Sequence, residues 1–196
     1  GDDSAARRAL RAGQGLLQRG MIQMALPEYE GAVAGGLESG QADEARYGMG
    51  VCLTRLARWD EALAALEALP GGGGFAFAQD ALMLRGQCLM MLERFADAAG
   101  VLARVEAEDA GGRRRVAAWS MRVECLYRAG EVEHAIRAWR DGAGAWRDTT
   151  EGHRGAFFAA RGLQESGRVD EAADLLREVG DDLRSETLGD HRALLL

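Results

Sequence analysis

Three cysteines are the side chains with the most obvious chemical potential in this 196-residue chain. Thiolates bind soft metal ions and pair as disulfides, so Cys52, Cys88 and Cys125 could form a metal or redox cluster. They are separated by 36 and 37 residues, and no CxxC or HxxxH motif accompanies them. Such long and nearly equal separations indicate a recurring structural position. Buried packing is therefore predicted, rather than metal or redox chemistry.

The histidines, the glycine run and the arginine run do not show the pattern of a catalytic or phosphate-binding site either. His134 and His153 lack a nearby serine or cysteine nucleophile with an orienting acid, which triad catalysis requires, and both are predicted to lie on the surface. The run Gly71–Gly74 follows no predicted strand and precedes no GK[ST] sequence, so a connecting loop is expected and not a phosphate site. Arg113–Arg115 is predicted to be a solvated loop or helix start. No enzyme activity, metal or cofactor is predicted.

Composition excludes further classes of chemistry. All 24 basic residues are arginine, so the chain lacks the lysine that a P-loop, a kinase or a pyridoxal Schiff base needs. The net charge of −7 disfavours a nucleic-acid partner. The longest apolar runs are far shorter than a bilayer crossing, so no direct membrane insertion is predicted. Lysine and asparagine have codons rich in A and T, and the lack of both indicates a GC-rich genome.

Five copies of one pattern run along the chain. In each copy an alanine opens a run rich in alanine and leucine, and this alanine recurs every 36 or 37 residues. A leucine stands nine residues before it, a hydrophobic residue three before it, and a large apolar residue four after it. The five alanines are termed the alanine column and the five leucines the leucine column. The alanine column is Ala25, Ala62, Ala98, Ala135 and Ala172, and the leucine column is Leu16, Leu53, Leu89, Leu126 and Leu163.

Local signals within each copy are helical. In Leu82–Leu92 and Ala156–Gln164, apolar residues recur three and four apart, which is typical of an amphipathic helix. Five residues before the alanine column, Gly20, Gly130 and Gly167 are predicted to end a helix. Acidic residues then cluster at the next helix start, where the helix dipole favours them. Each copy is thus predicted to be a helix, a tight turn and a second helix, so the fold class is all-α.

Glycine and tryptophan receive structural roles in this pattern. Small residues recur at two positions and include Gly13, Gly50, Gly86 and Gly142. In the tetratricopeptide repeat family, which the pattern resembles, paired helices touch closely at such positions, and the same is expected here. Three tryptophans on repeat columns are predicted to lie in the core, and these are Trp59, Trp119 and Trp139. Trp146 lies off the columns and is predicted to be in a connector.

The pattern resembles the tetratricopeptide repeat family from about Ala6 to Asp182, most clearly in Tyr47–Leu69 and Leu82–Val105. The resemblance implies one domain over residues 1–196, folded as a right-handed superhelical solenoid of antiparallel helix pairs. Pro27 is expected to delay or kink the second helix of the first copy. The 36–37-residue period is similar to that of bacterial envelope members of the family. The predicted repeats are approximately residues 6–42, 43–78, 79–115, 116–152 and 153–189.

In this family the first helices line a concave groove, so the resemblance implies a protein or peptide partner bound there. Much of the corresponding face is apolar, and its three methionines suit an adaptable binding surface. The competing interpretation is that the array curls tightly and the groove partly closes on itself. The predicted groove residues are Leu10, Gln14, Leu17, Tyr47, Val51, Arg55, Met83, Gln87, Met90, Met91, Glu124, Tyr127, Arg128, Phe157 and Arg161.

The last residues, 190–196, begin one more first helix and stop at Leu194–Leu196. They are predicted to be either a shortened capping helix or the start of a truncated further repeat. Because this end is apolar, a structural scaffold that self-associates through its solenoid ends is the alternative function. The predicted location is the bacterial cytoplasm or the periplasm and envelope.

Overall fold

The computed structural model describes residues 3–70, 75–109 and 112–179. Within these ranges the chain forms ten α-helices and no β-strand, which confirms the all-α prediction. The helices are α1 (Asp3–Gln18), α2 (Ile22–Ala34), α3 (Ser39–Arg55), α4 (Trp59–Glu67), α5 (Ala78–Met91), α6 (Phe95–Glu108), α7 (Arg115–Arg128), α8 (Val132–Trp146), α9 (Thr150–Glu165) and α10 (Val169–Glu178).

Second helices begin at one fixed repeat position. Each starts three residues before the alanine column, and the alanines of that column are at most 7% exposed. Four of the five carry an acidic residue in their first turn, where it interacts favourably with the helix dipole. The predicted helix starts and the predicted acidic clusters are therefore confirmed.

The leucine column marks where first helices end. The carbonyl oxygen of Leu126 accepts a hydrogen bond of 2.9 Å from the backbone N–H of Glu131, five residues later. This closure is a Schellman motif, and it requires one residue with a left-handed backbone. Three glycines supply that conformation as predicted, with φ of +74° at Gly20, +81° at Gly130 and +76° at Gly167.

Within a pair, the two helices touch at one recurring contact. A small residue of the first helix meets a large residue of the second helix, and this large residue stands four residues after the alanine of the alanine column. Gly13 lies under the ring of Tyr29, and a Cβ on Gly13 would stand 3.1 Å from Cδ1 of that ring. A Cβ on Gly50 would stand 2.6 Å from Cδ2 of Leu66. Tyr29 and Leu66 are both buried. The predicted packing role of Gly13 and Gly50 is therefore confirmed.

The chain divides into two compact units, Gly1–Glu93 with α1–α5 and Arg94–Leu196 with α6–α10. In the first, termed unit 1, each helix contacts the next along the chain. In the second, termed unit 2, α7 contacts α6, α8 and α9, and the predicted core residues Trp119 and Trp139 are buried. The single domain over residues 1–196 stays a prediction.

Two local expectations are corrected: the delay of α2 by Pro27, whose kink stays a prediction, and the position of Trp146 in a connector. Pro27 does not delay α2, which begins at Ile22 like the other second helices at their own positions. Its missing N–H removes one hydrogen bond inside a helix that is otherwise held by packing. Trp146 is the last residue of α8 and not part of a connector. Its ring lies 5.3 Å from that of Trp119, so it extends the aromatic core of unit 2.

Candidate functional site

In unit 1, the predicted groove residues lie on the three first helices, α1, α3 and α5. Because α3 contacts both α1 and α5, these helices form one layer. Met91 is 57% exposed and Arg55 is also exposed. The remaining predicted residues of this layer, apart from Leu10, are half-buried: Gln14, Leu17, Tyr47, Val51, Met83, Gln87 and Met90.

Polar contacts connect the helices of this layer. Nε2 of Gln14 on α1 donates a 2.7 Å hydrogen bond to Oε1 of Glu44 on α3. Oγ1 of Thr54 on α3 lies 3.6 Å from Sγ of Cys88 on α5. The amide of Gln14 therefore has a structural partner, in addition to its place among the predicted groove residues.

Tyr47 is partly covered by its own chain. Its ring is stacked on Phe77 at 4.8 Å with an interplanar angle of 4°, and it meets the edge of Phe75 at 6.1 Å. Both phenylalanines come from the segment before α5, which lies outside the repeat columns. Aromatic pairs of this geometry add about 0.5–1.5 kcal/mol beyond area burial. At this position the interpretation of a face packed on itself is the better one.

Two of the predicted groove residues have buried side chains, so their assignment to the groove is wrong. Leu10 is 5% exposed, since α1 contacts both α2 and α3 and its apolar side chain belongs to the core of unit 1. Glu124 is 3% exposed and is neutralised by Arg128 and Arg154. Burial of a carboxylate is tolerated when charged donors pair with it. Neither side chain offers a surface to a partner.

In unit 2, a polar network joins the ends of α7 and α9. The hydroxyl of Tyr127 donates a 2.7 Å hydrogen bond to Oε1 of Glu165, and Nε of Arg161 donates to the same oxygen at 3.0 Å. Burial and the Glu165 hydrogen bond raise the pKa of Tyr127. The hydrogen bonds from Tyr127 and Arg161 lower the pKa of Glu165. The structure thus brings the predicted residues Tyr127 and Arg161 together.

The guanidinium of Arg128 lies between two phenylalanine rings. Its Cζ is 5.5 Å from the ring centroid of Phe95 and 5.8 Å from that of Phe158, which are cation–π distances. Phe158 also contacts Tyr127 at 5.7 Å and Phe157 at 5.1 Å. Sequence analysis predicted Arg128, Tyr127 and Phe157 but missed both rings. The adjacent pair Phe157–Phe158 was the available signal.

The cysteines are buried, as predicted. Cys52, Cys88 and Cys125 are fully buried, and burial raises the pKa of Cys52 to about 11 and of Cys125 to about 12. A thiol that stays protonated is a poor nucleophile and metal ligand. In the described part of the chain, no group of three His, Cys, Asp or Glu residues is arranged to hold a metal ion. The run Gly71–Gly74 lies outside the described residues.

A groove of about 350 Å³, which the sequence did not predict, lies between α6 and α8 in unit 2. Arg122 in its floor donates bonds of 2.5 and 2.9 Å to Glu106, and the exposed His134 lies 2.9 Å from Glu131. Arg122 is thus paired with Glu106, and His134 with Glu131. The opposite wall is formed by small residues on one face of α6: Ala96, Ala99, Gly100 and Ala103.

None of the helices in residues 3–70, 75–109 and 112–179 combines the length and the apolar character needed to cross a membrane. The predicted self-association surface at residues 190–196 falls outside these ranges.

Several solved structures share this fold. The chain aligns with YrrB, described as a TPR protein with an unusual peptide-binding site, at a TM-score of 0.75 and 18% identity over 95% of this chain and 90% of that one. MamA from Desulfovibrio magneticus RS-1 aligns at 0.72 and 19% identity over 95% and 98%. A putative kinesin light chain with TPR-like repeats from Podosopora anserina aligns at 0.64 and 18% identity over 90% and 94%.

Sequence comparison gives the same assignment. No curated protein sequence matches the chain. A family model described as a tetratricopeptide repeat matches residues 10–77 and 73–113, more than half of the chain. Proteins with such repeats are in general interaction modules without catalytic activity, so the fold supports a protein–protein interaction scaffold. The chain belongs to the tetratricopeptide repeat family.

Proposed function

We propose that this protein binds a partner protein, as a peptide or a helix, on the faces formed by its first helices. The observation that carries the proposal is the row of methionines on α5. Met83 and Met90 are half-buried, and Met91 is 57% exposed although its side chain is apolar. Methionine is flexible and polarizable, so it adapts to partners of different shape. Exposed apolar side chains grouped on one surface are typical of an interaction site.

The spacing of these residues favours an elongated ligand. Met83, Gln87 and Met90 are separated by four and three residues and therefore share one face of α5. Half-buried Val51 and Leu17 continue the apolar character on α3 and α1. A peptide or amphipathic helix laid across the layer would bury these side chains.

A structural relative supports the same class of ligand. YrrB, which has this fold, is described as carrying an unusual peptide-binding site. For the present chain we propose only the same class of ligand, a peptide. At 18% identity, the positions of individual binding residues cannot be carried over from YrrB. The proposal includes the absence of catalytic activity, since burial raises the pKa of the three thiols, and Arg122 and His134 in the groove of unit 2 are each paired with a glutamate.

The test is a selection of binding peptides from a random display library on the purified protein, followed by affinity measurements on single variants. Met90→Glu places a charge on the proposed face, while Ala64→Glu places the same charge on exposed α4. We expect the selected peptides to bind Ala64→Glu like wild type and to bind Met90→Glu at least about tenfold more weakly, because a charge replaces an apolar contact.

Circular dichroism and thermal unfolding of both variants establish that they are folded. Peptides that bind Met90→Glu and wild type with equal affinity would overturn the proposed site. A selection that enriches no peptide at all would overturn the proposed class of ligand. The alternative of self-association through residues 190–196, and the location in the bacterial cytoplasm or envelope, stay predictions.

A further inference from the structure

A buried carboxylate organises the inner part of unit 2. Glu124 on α7 is 3% exposed, and its Oε1 forms an ion pair of 2.9 Å with Nε of Arg128, one turn later on the same helix. Its Oε2 accepts a 3.0 Å hydrogen bond from Nε of Arg154 on α9, and a further bond from Nη2 of that residue. One buried acid therefore binds two guanidinium groups, those of Arg128 and Arg154, which are termed the arginine pair. The charges of Glu124 and the arginine pair sum to +1.

The arginine pair keeps unused donors at the surface. The side chains of Arg128 and Arg154 are 48% and 50% exposed, whereas the carboxylate between them is 4% exposed. A guanidinium has five N–H donors, and Glu124 occupies Nε of Arg128 and the Nε and Nη2 side of Arg154. Among the described residues no other acid bonds to either group. The outer edges of both guanidiniums therefore face solvent as donors.

The arginine pair is held in place before any ligand binds. Glu124 fixes both groups at Nε, and the rings of Phe95 and Phe158 flank the Arg128 guanidinium at 5.5 and 5.8 Å. A preorganised arginine loses less side-chain entropy when it forms further hydrogen bonds. Phe157 is half-buried and lies 5.1 Å from Phe158.

Among the described residues, Glu124 is the acid that pairs with Arg128 and Arg154, so these three groups together keep one net positive charge. Two further charged groups of α9, Arg161 and Glu165, are bonded to each other at 3.0 Å, so their charges cancel. The whole chain carries a net charge of −7, so a local excess of positive charge is a departure from its surroundings. Such a site selects for negative charge in a ligand.

We infer that the arginine pair recognises an acidic peptide segment of the partner. A glutamate or aspartate carboxylate of that segment accepts hydrogen bonds from the outer edges of Arg128 and Arg154, and an adjacent apolar side chain lies on Phe158, which flanks Arg128. Arginine suits this role because its planar fork matches a carboxylate. The inference rests on the proposed function and specifies the chemistry of the ligand in unit 2.

Three short fluorescein-labelled peptides on one Gly-Leu framework test the inference, with glutamate, glutamine or lysine at the variable position. Fluorescence anisotropy on the wild-type chain is expected to show the glutamate peptide binding at least about tenfold more tightly than the glutamine peptide. Its affinity should fall as salt rises, because the site is half-exposed. Equal affinity for the three peptides, or the tightest binding for lysine, would overturn the inference without use of any variant.

Variants locate the binding. Arg128→Gln and Arg154→Gln are each expected to weaken the glutamate peptide about tenfold, while Arg137→Gln, which removes an exposed arginine from α8, leaves it unchanged. Thermal unfolding checks that each variant is folded. Loss of glutamate selectivity in Arg137→Gln would also contradict the inference. If glutamine and glutamate peptides bind alike and Met90→Glu still weakens selected peptides, the proposed function stands and this inference fails.

Discussion

The indole ring of Trp119 lies directly on the Cα of Gly142. A Cβ added to residue 142 would overlap Cε2 and Nε1 of the indole, and the ring cannot move away freely. Its Nε1 donates a 2.7 Å hydrogen bond to the carbonyl oxygen of Ala138, one turn earlier on α8. Trp119 is also 1% exposed, so it is confined on every side by the core of unit 2.

Gly142→Ala is therefore expected to destabilise the protein. Alanine in a helix interior is ordinarily favoured over glycine by about 1 kcal/mol. Here overpacking against the fixed indole should reverse the sign and lower the free energy of unfolding by about 1–3 kcal/mol. Urea unfolding monitored by circular dichroism measures the change.

Gly144 provides the matched control for that substitution. It lies on the same helix, is exposed, and a Cβ there would meet nothing within 4 Å. Gly144→Ala should therefore show the ordinary helical preference and raise the free energy of unfolding by up to about 1 kcal/mol. Equal effects of the two substitutions would contradict the close contact between Trp119 and Gly142.

Two turns between paired helices carry a residue that is poorly suited to its backbone. Ala57 has φ of +57° and Glu93 has φ of +58°, at the repeat position where Gly20, Gly130 and Gly167 stand in the other copies. A left-handed backbone costs an L-residue about 1–2 kcal/mol, and glycine adopts it without a Cβ penalty. These two turns are therefore strained for reasons visible in the backbone alone.

Ala57→Gly and Glu93→Gly are each expected to raise the free energy of unfolding, by about 0.5–1 kcal/mol after the entropic cost of glycine in the unfolded chain is subtracted. The reverse substitution, Gly130→Ala, should lower it by a similar amount. Thermal and urea unfolding measure all three variants. Stabilisation by Gly130→Ala would show that the positive φ is absent at that turn.

The repeating features of the fold could be predicted because they depend on local sequence. The Schellman turns require glycine next to a helix end, as at Gly130, and the carbonyl of Leu126 closes the turn at the leucine column. Small residues such as Gly50 recur because the opposite position holds a large one, here Leu66. Each of these signals lies within one repeat and can be read without knowledge of neighbouring repeats.

Contacts between repeats could not be predicted in the same way. Glu124 occupies a position that the family pattern assigns to the groove, but it is buried because Arg154, 30 residues later, reaches back to it. Tyr47 is covered by Phe77, which comes from a segment outside the repeat columns. In both cases the decisive partner is distant in sequence, and periodicity carries no information about it.

Alkaline pH should destabilise the protein through its buried thiols. Burial, together with the nearby charge of Glu124, raises the pKa of Cys125 to about 12. The pKa of a cysteine thiol in an unfolded chain is about 8.5. Between these values the unfolded state has lost the proton and the folded state keeps it. The free energy of unfolding is therefore highest below about pH 8.5 and falls as the pH rises toward 12.

Cys125→Ala should make this decline shallower. The pH slope of the free energy of unfolding should fall by the amount that corresponds to about one proton, because the variant no longer has the thiol that loses its proton on unfolding. Cys52, whose pKa burial raises to about 11, continues to titrate and retains part of the slope. The measurement is urea unfolding at several pH values from 8 to 11. Ser120→Ala is the control, because it alters a buried residue of the same helix, α7, without removing a titrating group. If Cys125→Ala and Ser120→Ala show the same pH slope as wild type, the Cys125 thiol is not protected from ionisation in the folded protein.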